Sequence, residues 1–382
     1  MGPLEGVRVL EAGGIGPGPF AAMVLSDLGA DVVRIDRPEA VGSDERELEW
    51  LVTRGRRSIA IDLKMREGRD LVLALAEVAD VMIEGFRPGV AERLGIGPAA
   101  CCGLNSGLVY ARATGWGQDG PWCQAPGHDI NFIAVTGALN AIGRRDSTPP
   151  PPLNLVGDYG GGGMLCAVGV LAALLERVRS GKGQVIDAAM VDGVALLTTL
   201  FHGIRHIGRL REERESNNID GGAPWYDTYE CSDGKFIAVG GGEPPLFEAL
   251  CDALGLAGRF DDPMDRSQWD GIRRAFAEAF SRRSRDEWAS LAGGPKLCLS
   301  PVLTWAEAPA HEHLAARHTY VEVDKVVQPG PAPRFSRTSP SLPSTPPWPG
   351  EHTDEVVGSW GVKQEVMDSA SKAGAVRQRT VR

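Results

Sequence analysis

Val7-Arg8-Val9-Leu10-Glu11, running into Ala12-Gly13-Gly14-Ile15-Gly16-Pro17-Gly18-Pro19, decides the fold of this chain. The first five residues read as a buried strand, and the glycine-rich stretch reads as a turn into a helix that reaches Leu28. Gly29 ends the helix, and Asp31-Val32-Val33-Arg34-Ile35 is a second strand. Strand, glycine turn, helix and strand form the repeating unit of a doubly wound sheet. The same turn invites a dinucleotide reading, with Gly14, Gly16 and Asp36 in the usual places. Two features argue against it. Pro17 and Pro19 lack the amide N–H groups that cradle a pyrophosphate, and Asp36 is followed at once by Arg37-Pro38.

The rhythm continues downstream. Residues 57–62 read as a strand, 66–79 as an amphipathic helix, and 81–84, 108–113 and 184–187 as further strands. Cations gather at the strand ends: Arg37, Arg54, Arg56, Arg57, Lys64 and Arg87. Open α/β sheets bind ligands beyond the carboxyl ends of their strands, and cations there suit a polyphosphate. The alternative is that they are surface charges paired with Asp36, Asp62 and Glu84. A long helix over 190–208 leads out of this domain into a charged connector. A hairpin then turns at Ser232-Asp233-Gly234, with helices at 246–254, 269–280 and 285–291. These shifts predict a large Rossmann-like α/β domain over 1–205, a linker over 206–224 and a small α+β domain over 225–325. A proline-rich return segment over 326–350 and a frayed polar tail over 351–382 complete the chain.

Two proton-carrying side chains stand directly after glycines, in Gly127-His128-Asp129-Ile130-Asn131-Phe132 and in Asn154-Leu155-Val156-Gly157-Asp158. The run Pro149 to Pro152 separates them, which puts them on different elements. An imidazole and a carboxylate facing one carbon can take a proton from one side and return one to the other. Each has a plainer reading as well. A lone histidine is often structural, and Asp158 can cap the helix that follows the run Gly160 to Gly163. A helix N-terminus lowers a carboxyl pKa, which suits a base and hinders an acid, so burial must offset it. Glu243, after Gly240-Gly241-Gly242 and before Pro244-Pro245, is a fixed carboxylate or an N-cap.

The 382 residues suit two domains, and 43% apolar with 24% charged residues is ordinary globular composition. A net charge of −10 argues against general nucleic-acid binding. No apolar run approaches the ~20 residues of a membrane span, and no leader precedes Val7. Seven cysteines without CxxC spacing fit a reduced, cytoplasmic setting and no zinc site.

From residue 3 to about 340 the chain resembles the α-methylacyl-CoA racemases of the family III CoA-transferase superfamily. The resemblance is carried by Gly-Pro-Gly-Pro-Phe at 16–20, Asp-Arg-Pro at 36–38, Asp-Leu-Lys at 62–64, Gly-His-Asp-Ile-Asn-Phe at 127–132, Pro-Leu-Asn-Leu at 152–155, Gly-Lys-Gly-Gln-Val-Ile-Asp-Ala at 181–188 and Asp-Gly-Gly-Ala-Pro at 220–224. It implies an isomerase of lipid and fatty acid metabolism that needs no cofactor, coenzyme A arriving as part of the acyl-CoA substrate. It implies an interlocked homodimer with the site between subunits. His128 and Asp158 are then the acid/base pair, and Glu243 orients the histidine. Coenzyme A contacts fall on Arg37, Ile61, Asp62, Leu63, Lys64, Gly127, His128, Asp129, Ile130, Asn131 and Phe132, with Arg87 added from its charge and position. The alternative within the superfamily is a CoA-transferase with Asp158 as nucleophile. One segment departs from the racemase pattern. Gly240-Gly241-Gly242-Glu243-Pro244-Pro245-Leu246 replaces the usual Gly-Ala-Ile-Glu-Pro-Gln-Phe, which leaves the acyl group open. The chain end carries no peroxisomal Ser-Lys-Leu signal.

Overall fold

Short runs of β-branched and aliphatic residues, each closed by a glycine or a charged turn, build one large sheet in the computed structural model, which describes residues 2–42, 48–260, 262–291, 297–338, 340 and 344–380. The chain divides into two compact units: Met1–Thr136 with Pro152–Thr198 and Arg317–Arg382, and Gly137–Pro151 with Thr199–Ala316. The first unit is therefore not the contiguous 1–205 read from sequence. Residues 137–151 belong to the second unit, and the chain returns at residue 317 rather than 326.

In the first unit, β1 (Arg8–Ala12) leads through the glycine turn to α1 (Pro17–Asp27), with Pro17 at the first helical position, where its missing N–H has no intrahelical acceptor to lose. β2 (Asp31–Asp36), β3 (Arg57–Ile61), α2 (Arg66–Val78), β4 (Val81–Glu84), α3 (Val90–Arg93), α4 (Pro98–Leu104), β5 (Val109–Thr114) and α5 (Asp129–Val135) follow. Then come a widely wound π-helical segment, Leu155–Met164, α6 (Leu165–Ser180), β6 (Val185–Ala189) and α7 (Met190–Leu197). α2 buries Leu71, Val72, Leu75 and Ala76, spaced one turn apart, against the sheet. Gly181, at φ 71°, ends α6 in the left-handed conformation glycine adopts freely.

After Gly137–Pro151, the second unit resumes with α8 (Thr199–His206). The single helix expected over 190–208 is two, because the Thr198 hydroxyl donates to the Ala195 carbonyl at 2.8 Å and competes with the helical ladder. β7 (Tyr226–Glu230), β8 (Phe236–Gly240), α9 (Pro244–Ala253), α10 (Trp269–Phe280), α11 (Arg285–Leu291), β9 (Leu299–Pro301) and α12 (Glu312–Ala316) complete it. Its antiparallel sheet, in the order β7-β8-β9, packs Trp225, Tyr229 and Ile237 against Phe247, Phe276 and Phe280.

Back in the first unit lie the hairpin β10 (Tyr320–Val323) and β11 (Val326–Pro329), then α13 (Thr353–Trp360), α14 (Gln364–Ala373) and β12 (Val376–Arg377). Of the extended proline-rich stretch, residues 339 and 341–343 lie outside the described residues. The large sheet has the order β12-β3-β2-β1-β4-β5-β6, parallel from β3 to β6, with β12 antiparallel on the β3 edge.

Two expectations need correction. The frayed tail is structured: Val356, Val357, Trp360, Met367 and Ala370 are buried in the main core, so the polar look of 351–382 hides an amphipathic pair of helices. The π segment and α6 also form one run, Leu155–Ser180, of 26 residues, long and apolar enough by composition to cross a bilayer. The glycines at 160–163 read as a loop and concealed its length. Its Cys166, Ala167, Val170, Ala173 and Leu174 pack in the core over the sheet.

Trp360 is 2% exposed, and its indole N–H donates to Asp31 at 2.8 Å. Trp360→Ala is expected to cost about 3–5 kcal/mol in urea unfolding; an unshifted midpoint would return residues 351–382 to the status of a loose tail.

Candidate active site

A cavity of about 1090 Å³ opens in the first unit at the carboxyl ends of β1 to β5. Gly13 and Gly14 follow β1, Arg37 follows β2, residues 61–64 end β3, Phe86 and Arg87 follow β4, and Gly115 and Trp116 follow β5. β1 is flanked by β2 on one side and β4 on the other, so the cavity sits where the strand order reverses. Pro346, Pro347 and Pro349 close one wall.

The six cations at the strand ends separate into two groups. Arg54 pairs with Asp27 at 2.5 Å, Arg56 with Glu11 at 3.2 Å, and Arg57 with Asp31 at 2.6 Å. Those three are tied to carboxylates of the fold, and none of them lines the cavity. Arg37, Lys64 and Arg87 line the cavity and make no ion pair with a described residue. The loop carrying Arg87 is anchored from below. Glu84, fully buried, accepts the Phe86 N–H at 2.7 Å and an Arg112 N–H at 2.8 Å, while Arg112 also grips Glu92. Burial pushes the Glu84 carboxyl up, and the Phe86 N–H and Arg112 counter it.

On the β5 side, Trp116 meets both Trp122 and Phe132 edge to face, at 5.0 and 4.8 Å. Gly115 and Gly127 are the floor beneath the Phe132 ring: a Cβ on either would come within 2.1 and 2.7 Å of it.

His128 is the N-cap of α5, exposed at the cavity, with its backbone N–H donating to Asn131 Oδ1 at 3.0 Å. Asp158 lies in the first turn of the π segment, half-buried on the same cavity. Asn154 donates to its Oδ2 at 3.3 Å. Its carboxyl packs on the bare Cα of Gly16, where a Cβ would stand 2.8 Å from Oδ2. That carboxylate occupies the place a pyrophosphate would need beside the turn. Asp36 is likewise spent, on Arg34 at 2.9 Å and the Ser58 hydroxyl at 2.7 Å. Both features oppose dinucleotide binding. Burial raises the Asp158 pKa; the Asn154 hydrogen bond opposes this, Asp129 adds to the rise and His128 opposes it. Burial with Asp129 thus outweighs the Asn154 hydrogen bond and His128, and the carboxyl is suited to hold a proton as well as to take one.

Of the residues singled out from sequence, Arg37, Ile61, Asp62, Leu63, Lys64, Arg87, Gly127, His128, Phe132 and Asp158 line this cavity. Asp129, Ile130 and Asn131 do not. The Asp129 side chain turns inward to accept the Asp158 N–H at 2.7 Å, Asn131 caps His128, and Ile130 faces solvent. Glu243 stands in the second unit, exposed, at the N-cap position of α9 without a side-chain cap bond. Sequence reasoning missed Trp116, Met190 and the three prolines as cavity residues. Only the Thr114-Gly115-Trp116-Gly117 loop, leading toward His128, hinted at the first.

The sequence pattern of CoA-transferase family III matches residues 4–353. The α-methylacyl-CoA racemase of Mus musculus is 42% identical over 366 residues, covering 95% of this chain and 94% of its own length. The succinyl-CoA:glutarate CoA-transferase of Mus musculus is 30% identical, over 94% of this chain and 86% of its own. Among solved structures, a CAIB/BAIF family protein from Brucella suis superposes with a TM-score of 0.81 at 26% identity, covering 94% of this chain and 99% of that one. The mixed α/β fold with its large parallel sheet is the fold of that structure.

A carboxyl whose folded pKa is raised favours the protonated fold, so its stabilising share is present at low pH and lost as pH rises through the folded pKa. Asp158→Asn is therefore expected to melt above the wild type at pH 7, with the gap closing as the pH is lowered. A lower melting temperature at pH 7 would contradict the raised pKa.

Proposed function

We propose that this chain, which belongs to CoA-transferase family III, inverts C2 of 2-methylacyl-CoA thioesters by removing a proton and returning one through an enolate. The observation that carries this reading is that His128 and Asp158 face one cavity, where burial raises the Asp158 pKa. The similarity to the mouse racemase over nearly the whole chain supports it. The thioester carbonyl acidifies the neighbouring C–H because deprotonation gives a delocalised enolate. His128 takes the proton of one enantiomer while Asp158, protonated, supplies one to the opposite face; the roles exchange for the other enantiomer. Positioned acid/base groups contribute ~10²–10⁴-fold each. Backbone N–H groups near the glycine turns stabilise the enolate oxygen. Arg37, Lys64 and Arg87, none with an ion-pair partner among the described residues, take the phosphates of coenzyme A.

The active enzyme is a homodimer. Val168, Leu175 and Val178 form an exposed apolar stripe on α6, each more than half exposed, and Leu196 and Leu197 on α7 are exposed as well. A second copy of the chain would bury them. Sedimentation at micromolar concentration is expected to give a dimer that Val168→Lys with Leu175→Lys dissociates; a wild-type monomer would remove this part of the reading.

The rival reaction is CoA transfer, with Asp158 attacking the thioester to form an acyl anhydride. Incubation in D₂O separates the two. The wild type is expected to incorporate deuterium at C2 of a 2-methylacyl-CoA without an acceptor acid. His128→Ala is expected to lose ~10²–10⁴-fold in both directions. CoA movement only when an acceptor acid is added, with no deuterium at C2, would establish the transferase instead.

A further inference from the structure

We infer that Asp129 is a positioning residue for Asp158, locking the turn that carries the carboxyl to the turn that carries the imidazole and setting the charge the carboxyl feels. The inference rests on the racemase reading for its kinetic consequence but not for its structural one.

Asp129 opens α5, immediately after His128, so its backbone belongs to the histidine's turn. Its side chain leaves that helix and accepts the backbone N–H of Asp158 through Oδ2 at 2.7 Å. No coenzyme handle is needed to explain it, because it is only 9% exposed and does not line the cavity. Gly157 makes the contact possible. A Cβ there would lie 2.4 Å from Asp129 Oδ2, so any other residue at 157 would push the carboxyl off the Asp158 amide. A single hydrogen bond thus joins two elements that are remote in sequence and carry the two proposed proton-transfer groups.

The second oxygen is the unusual part. Asp129 Oδ1 is buried and has no hydrogen-bond partner, and no described cation pairs with the group. A buried acceptor without a protein partner costs stability and calls for a reason. With nothing to neutralise it, an ionised carboxyl at this place disfavours ionisation of its neighbour. Asp129 is among the groups that raise the Asp158 pKa. Burial is the larger cause of that rise, and among the charged groups around the carboxyl Asp129 is the one that adds to it. α5 presents His128, which acts in the opposite sense, and the α1 turn presents Gly16. α7 carries one titratable residue, Asp192, which is exposed. In α1, Asp27 is bound to Arg54; Arg112 of β5 is bound to Glu84; Asp187 of β6 accepts the Gln118 N–H; the charges of α6 lie in its last turns.

Proton exchange needs one proton shared between Asp158 and His128. The enzyme with both protonated, or with neither, is idle in both directions. Lowering the Asp158 pKa alone moves the acid limb of the rate profile to lower pH. It also depletes the form in which Asp158 holds the proton, so the plateau falls.

Two variants separate charge from geometry. Asp129→Asn keeps an oxygen to accept the Asp158 N–H and removes the charge; Asp129→Ala removes both. The Asp158 carboxyl can be titrated in ligand-free enzyme by ¹³C-carboxyl NMR, its signal assigned by its loss in Asp158→Asn. Asp129→Asn is expected to lower the pH at which that signal titrates. The acid limb of C2 deuterium exchange should move with it, kcat should fall on the order of tenfold, and KM should stay unchanged. Asp129→Ala should lose more kcat than Asp129→Asn. An unmoved Asp158 titration in a folded Asp129→Asn would overturn the inference, as would a loss confined to KM. If the titration moves but wild-type enzyme exchanges no deuterium at C2, the positioning role stands and the racemase reading falls.

Discussion

One close packing, the Asp158 carboxyl against the uncovered Cα of Gly16, ties this structure together. Gly16 sits at φ 75°, a conformation that favours glycine, and a methyl group there would stand 2.8 Å from a carboxylate oxygen. The first turn of the sheet therefore cannot be chosen independently of the π segment that carries the acid. A βα turn that binds pyrophosphate elsewhere among doubly wound folds is filled here by the protein's own carboxyl. Pro17 and Pro19 complete the change by removing two of the amides a phosphate would use.

The rest of the site is a consequence of where charge is spent. Arginines at neighbouring strand ends meet opposite fates. Arg54, Arg56 and Arg57 are consumed by Asp27, Glu11 and Asp31, and Arg112 by Glu84 and Glu92. Arg37, Lys64 and Arg87 stay available at the cavity edge. The C-terminal segment contributes from behind. Ser58 and Thr353 hold Gly350, and the Arg379 N–H donates to the Gly350 carbonyl, so the proline wall is fixed by the added strand β12 and the residues around it.

Much of this was legible in the residues. The six parallel strands and the glycine turn follow from aliphatic runs with turn residues at their ends, and His128 and Asp158 stand out because each follows a glycine. What remained hidden was hidden for physical reasons. Seven residues from Gly157 to Gly163 include five glycines, which read as a loop, yet close contacts with Pro17, Phe20, Met190 and Val194 hold them helical. Tertiary packing overrode propensity there. The polar C-terminal residues 353–377 concealed helices because only one narrow face of each is apolar. Which cations bind carboxylates and which face a ligand depends on side-chain direction at a strand end, which spacing does not encode. The family resemblance assigns Asp129 to coenzyme contact together with the rest of Gly127 to Phe132; its turn toward Asp158 is a matter of side-chain direction, which the motif does not encode.

All of this converges on a single spatial requirement, that an imidazole and a carboxyl reach one carbon from opposite sides. The direct measurement is a crystal structure of the enzyme with a bound acyl-CoA whose C2 is resolved. The expected result places a His128 ring nitrogen and an Asp158 oxygen on opposite faces of C2, each within about 3–3.5 Å. Density showing both groups on one face, or C2 out of reach of either, would contradict it.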